Sequence, residues 1–198
     1  MFVLGLTGSI GMGKSTTAAM FRAEGIAVHD ADATVHELYK GEAAGAVEAA
    51  FPGTTRDGVV DRALLADAVL DDEAKLARLE AIIHPLVAAS RDAFLVEASK
   101  NGVGVVVLDI PLLFETGSDR NVDAVVLVTA PESVQKARVC ARPGMTAERL
   151  AAILARQIPD AEKRARAHFI IDTSRGFAAA ERQVREIVRT LAGARNKI

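Results

Sequence analysis

The octapeptide GSIGMGKS at positions 8–15 narrows what this chain can fold into more than any other stretch of its 198 residues. It follows the apolar run FVLGL (2–6) and leads into a segment whose spacing predicts a helix from about Lys14 to Glu24, stopped by Gly25. A short apolar strand that ends in a glycine-rich turn and opens into a helix belongs to an open parallel sheet. The octapeptide fits G-x-x-x-x-G-K-[ST] through Gly8, Gly13, Lys14 and Ser15, a pattern that composition alone would produce in such a chain less than about 1% of the time. Each position has a chemical reason. Gly8, Gly11 and Gly13 permit backbone angles closed to other residues, so that successive N–H groups can point at phosphate oxygens, and the new helix adds its positive end. Lys14 supplies a point charge at the bridge between the β- and γ-phosphates, and the Ser15 hydroxyl is placed to ligate Mg²⁺. Gly8, Gly11, Met12, Gly13, Lys14, Ser15 and Thr16 are therefore the candidate ATP-binding residues.

The rest of the pattern fits the same sheet. Ile26 to His29, Val103 to Ile110, Ala124 to Val128 and Phe169 to Ile171 are short, largely β-branched apolar runs, as strands covered on both faces are. Helical segments separate them, which predicts repeated βαβ units: an α/β, doubly wound parallel sheet in three layers. A helix is expected from Asp32 through Tyr39, and further helices over about 61–69 and 72–100. The region 32–100 is longer than a crossover requires and is a candidate acceptor-binding insertion. A second helical excursion, about 132–166, contains the breaker pair Pro143-Gly144. The expectation is one domain over 1–198, with a nucleotide-binding core at about 1–31, 101–131 and 167–198. In the last segment Val184, Ile187, Val188 and Leu191 share one helical face, which reads as core packing.

Composition excludes several partners. Formal net charge is −2, with no Trp, one Tyr and no dense Lys/Arg block, so neither a basic stripe nor stacking aromatics mark a nucleic-acid surface. The lone Cys140 cannot form an intramolecular disulfide, and no apolar run is long enough to span a bilayer or to read as an export signal. A cytoplasmic protein with small-molecule ligands is expected, as a monomer or small homo-oligomer. A guanine-nucleotide switch is excluded by its missing motifs: no Asp is followed three residues later by Gly, and the one Asn-Lys pair is at 196–197. A small kinase acting on a metabolite is what remains.

At this point the chain resembles the dephospho-coenzyme A kinase family. The resemblance rests on LTGSIGMGKST (6–16), HDAD (29–32), IIHP (82–85), DIPLLFE (109–115) and LARQ (154–157), in the family's order over almost the whole chain. It implies a P-loop kinase fold with a helical substrate-binding insertion and a lid. It further implies transfer of phosphate from ATP, with Mg²⁺, to the ribose 3′-hydroxyl of dephospho-CoA.

Candidate residues follow, each with a competing structural reading. Asp32 sits just past the second strand, where an acceptor hydroxyl could meet the γ-phosphate; by resemblance it is the catalytic Asp, and otherwise it is the N-cap of the following helix. Asp30 is the fallback for the same role. Asp109 closes the longest apolar strand, as a group supporting Mg²⁺ or as a polar strand end. By resemblance Pro111, Leu112 and Glu115 border the acceptor, although Leu112, Leu113 and Phe114 read equally well as core. His84 precedes Pro85, which should break or kink its helix and turn the imidazole outward; a substrate contact and a structural role are both open. Arg138 and Arg142 lie one helical turn apart before Pro143-Gly144, and a second helix capped by Thr146 carries Arg149 and Arg156. Such a hairpin could close over ATP and neutralise transition-state charge, with Arg138 and Arg142 the favoured catalytic pair beside Lys14.

Overall fold

The computed structural model describes residues 1–69 and 72–195. It divides into two compact units, one formed by Met1–His29 with Ala98–Ile198, the other by Asp30–Glu97.

The first unit is built on a five-stranded sheet of β1 (Phe2–Thr7), β2 (Ala27–Asp30), β5 (Val105–Asp109), β6 (Ala124–Thr129) and β7 (Phe169–Asp172), in the order β2-β5-β1-β6-β7. β1 lies parallel between β5 and β6, and β7 runs parallel to β6. Leu4, Leu6, Val107, Val126, Val128 and Ile171 are fully buried, as unbroken apolar runs require when helices cover both faces. α1 (Lys14–Ala23) and α9 (Phe177–Arg195) pack together, and Met20, Phe21, Ala180, Val184, Ile187 and Leu191 join one core with the sheet. Because the strands are parallel, their carboxyl ends meet on one edge: Leu6 is level with Asp109, Thr7 with Leu127 and Thr129 with Asp172. Ligands of doubly wound sheets bind along this edge.

Between β6 and β7 stand α6 (Glu132–Cys140), α7 (Ala147–Leu154) and α8 (Asp160–Arg166), three helices where the sequence predicts a two-helix hairpin. Pro159 occupies the N-cap of α8 and starts it anew after the turn that ends α7. Thr146 caps α7 by accepting the Arg149 N–H at 3.2 Å.

The second unit contains α2 (Ala31–Leu38), α3 (Ala44–Ala50), the strands β3 (Thr55–Arg56) and β4 (Val59–Val60), α4 (Arg62–Val69) and most of α5 (Glu73–Lys100). Leu38, Val47, Phe51, Val60, Leu65, Leu79 and Ile83 form its core. Two expectations change here. The N-cap of α2 is Asp30, whose carboxylate accepts the Ala33 N–H at 3.0 Å, and Asp32 stands exposed in the first turn. α5 runs through Pro85 without a break. Pro85 and Ala81, whose carbonyl loses its helical donor to the proline ring, are both exposed, so water can take the place of that bond. Among the described residues no helix is long and apolar enough to cross a membrane.

Candidate active site

The turn after β1 is held by residues distant in sequence. The Met12 N–H donates to the Ser9 carbonyl at 3.2 Å and closes the loop on itself. Gln135 Nε2, on α6, donates to the Ile10 carbonyl at 2.7 Å, and the Thr173 hydroxyl donates to the Met12 carbonyl at 2.8 Å. Met12 itself is buried among sheet residues, its sulfur 3.1 Å from the Ala130 N–H, so its side chain anchors the loop and only its backbone faces a ligand. Two glycines are required here. A Cβ on Gly8 would lie 2.6 Å from the Val128 carbonyl oxygen, and Gly11, at φ +78°, would press one to 2.4 Å from the Val139 methyl. Gly11→Ala is therefore expected to cost about 2 kcal/mol, combining left-handed strain with overpacking. That would lower Tm by about 5 °C and weaken nucleotide binding; calorimetry of both checks it, and an unchanged Tm would mean that the loop yields without strain.

Lys14 and Asp109 form the electrostatic centre. Lys14 Nζ is 2.6 Å from Asp109 Oδ1, and the two side chains are 12% and 1% exposed. The register that puts Asp109 level with Leu6 brings this carboxylate beside the loop. Ser15 and Thr16 are exposed on the first turn of α1, while Thr17 is buried and donates its hydroxyl to the Gly13 carbonyl at 3.2 Å. Ser15 and Asp109 both offer hard oxygen donors, the kind Mg²⁺ takes.

A pocket of about 400 Å³ opens beside the loop, lined by Gly11, Gly13, Thr16, Arg138, Arg142, Thr173 and Phe177 among others. α6 ends at Cys140, so Arg142 stands in the turn beyond it, yet both predicted arginines reach this pocket. Arg138 is fixed there: its guanidinium donates to the Thr173 hydroxyl at 2.8 Å and to the Thr173 carbonyl at 2.9 Å. Arg149 donates to the Gly144 carbonyl and secures the reversal, and Arg156 is exposed; neither lines the pocket.

The segment after β7 was not found from sequence. Thr173, Ser174, Gly176 and Phe177 contribute a wall of the pocket, and Phe177 stays 71% exposed at its rim. Asp172 accepts the Ser174 N–H at 2.8 Å and stiffens this turn. The hydrogen bonds from Ser174, side chain and backbone, hold that carboxyl below the usual carboxylate range. An aromatic residue next to Gly176, a few residues past the strand, is the signal the sequence offers.

Of the expected acceptor residues, Pro111 accepts the Thr7 hydroxyl at its carbonyl, 3.1 Å away, and so ties β5's end to β1's. Leu113 and Phe114 are core, whereas Leu112 is 41% exposed; the reading of Leu112 as core fails because the turn after β5 points it outward. Glu115 accepts from Lys163 at 2.7 Å and from the Ile158 N–H at 3.0 Å. His84 and Asp32 are exposed in the second unit.

A parallel five-stranded sheet with a G-x-x-x-x-G-K-S loop after its central strand, an acidic strand end on the loop lysine and arginines over the adjoining pocket define a P-loop kinase of small-molecule size. The chain belongs to the dephospho-CoA kinase family, whose model matches residues 2–179. It is 60% identical over 192 residues to the dephospho-CoA kinase of Rhodopseudomonas palustris strain BisB18, covering 97% of this chain and 96% of that one. It is 63% identical over 195 residues to the dephospho-CoA kinase of Mesorhizobium japonicum, covering 98% and 99%. Among solved structures, TT1252 from Thermus thermophilus superposes with a TM-score of 0.81 at 34% identity, over 96% of both chains.

Proposed function

We propose that this kinase transfers the γ-phosphoryl group of ATP to the ribose 3′-hydroxyl of dephospho-CoA, giving coenzyme A and ADP, the last step of coenzyme A synthesis. The observation that carries the reading is the family match over 2–179, within which the loop at 8–15 is shaped and braced for phosphates. ATP lies with its phosphates in the loop and its nucleoside in the 400 Å³ pocket, with Phe177 against the base. Lys14 turns from Asp109 toward the β/γ bridge as the nucleotide's charge arrives. The Ser15 hydroxyl and the Asp109 carboxylate would hold Mg²⁺, which would supply charge neutralisation on the triphosphate.

Asp32 accepts a hydrogen bond from the acceptor hydroxyl and takes its proton; because phosphoryl transfer is largely dissociative, orientation counts for more than basicity. Arg138, already fixed on Thr173, and Arg142, exposed in the turn beyond α6, neutralise charge on the transferred group. His84, Pro111 and Leu112 serve the acceptor. The segment from Ala141 to Gln157 is the moving part of a lid, since α6 is bonded to the loop and α8 to Glu115. A cytosolic setting, where ATP and acceptor both occur, belongs to the same reading.

The test is ADP release from purified protein with MgATP and, separately, dephospho-CoA, AMP and shikimate, with the product's mass measured. Turnover with dephospho-CoA alone, adding one phosphate, is expected. Turnover confined to another acceptor would keep the kinase and replace its substrate.

A further inference from the structure

We propose that Lys163 is a positioning residue of the phosphate loop, held by Glu115 and acting through Ser9. Lys163 lies on α8, and its side chain is wholly buried, whereas Arg164 and Arg166 on the same short helix keep 43% and 36% of theirs exposed. Its ammonium sits 2.7 Å from Glu115 Oε1 and donates to Ser9 Oγ at 3.3 Å. The same Glu115 oxygen accepts the Ile158 N–H at 3.0 Å, and Glu115 Oε2 is buried without a hydrogen-bond partner among the described residues. Burial raises the Glu115 carboxyl, but the hydrogen bonds from Lys163 and Ile158 outweigh it and hold the group below its ordinary value, so it is ionised at neutral pH.

A buried ion pair is a poor way to stabilise a core, because well-packed apolar side chains of similar volume do as well or better. A charge kept there points to the third group it touches. That group is Ser9, 5% exposed, whose carbonyl closes the loop by accepting Met12 N–H. Lys163 therefore completes a set. Ser9, Ile10 and Met12 are each fixed by one residue far along the chain: Lys163, Gln135 and Thr173. A loop held at all three residues keeps its N–H groups aimed before the nucleotide arrives, and the ordering cost is not charged to binding. Lys163 touches loop and carboxylate, and its effect on the reaction passes through the loop's shape.

The proposal rests on reading residues 8–15 as the ATP-phosphate site, and its test avoids the acceptor altogether. The full chain is titrated calorimetrically with MgADP and with a non-hydrolysable MgATP analogue, using Ser9→Ala, the paired neutral variant Glu115→Gln/Lys163→Met, and the three changes together. The pair variant leaves no lone buried charge. It is expected to melt cooperatively near the parent Tm and to bind nucleotide about tenfold more weakly, through lost pre-organisation. Ser9→Ala should weaken binding similarly, and the triple variant no further, because all three changes remove one contact. Parent-like affinity in the pair variant, or losses that simply add in the triple, would overturn the proposal. Should the pair variant fail to melt cooperatively, Ser9→Ala decides alone: an affinity loss upholds the contact and parent affinity overturns it. The acceptor assay stands apart, so either conclusion can fail without the other.

Discussion

Lys14→Met is expected to lower kcat/KM by about a thousandfold, the range for a charge-stabilising group at a reacting phosphate. The side chain would keep most of its volume and lose its charge. A second effect accompanies this one, because Asp109, 1% exposed, would lose the cation 2.6 Å from it. Removing one member of a buried pair costs about 3 kcal/mol. A low rate in Lys14→Met is told apart from a damaged fold by the double variant Lys14→Met/Asp109→Asn, compared with Asp109→Asn alone because that change by itself removes the proposed Mg²⁺ ligand. The double variant regains Tm because the buried carboxylate charge goes together with its cation, and it turns over far more slowly than Asp109→Asn. Turnover equal to that of Asp109→Asn, along with the regained Tm, would show that Lys14 serves the fold and not the phosphate.

The second large effect concerns the aspartates of HDAD. Asp32→Asn should cut kcat by about a hundredfold to a thousandfold, the worth of a positioned base that also orients its substrate. KM for ATP should stay within about twofold, since the loop and its pocket are untouched. Asp30→Asn is the control. Asp30 caps α2 through the Ala33 N–H, and asparagine caps nearly as well, so stability and rate should hardly move. If Asp30→Asn loses turnover and Asp32→Asn keeps it, the two roles are exchanged. Steady-state kinetics with both substrates varied decides this.

The first unit was readable from sequence because its physics is local. A parallel strand buried on both faces has to be an unbroken apolar run, and Val105–Asp109 and Ala124–Thr129 are such runs. The loop was readable because phosphate binding constrains residue types at fixed spacing. What escaped notice had weaker local marks. α3, AGAVEAA, consists mainly of small residues with hardly a periodic face. β3 and β4 are two residues each, too short for alternation, although Asp57-Gly58 between them, both at positive φ, is the dipeptide a tight hairpin asks for and could have been recognised. Pro85 misled because a proline's cost was judged without knowing that its helix turns that side to water. Lys163 could not be found at all: within DAEKRAR nothing separates the lysine that is fully buried from its exposed neighbours. The wall after β7 works through a threonine hydroxyl, backbone groups and one ring, none of which announces chemistry.

The long-range bracing of the loop also fixes when it can function. Gln135 and Thr173, which hold Ile10 and Met12, are synthesised 125 and 161 residues after them. At ordinary translation speeds the interval to Thr173 is on the order of ten to thirty seconds. Throughout it the nascent chain carries the motif without both of the hydrogen bonds that hold Ile10 and Met12. β1 is also the sheet's central strand, and both of its neighbours, β5 and β6, are synthesised after it. The braced phosphate loop therefore exists only once Thr173 has been made.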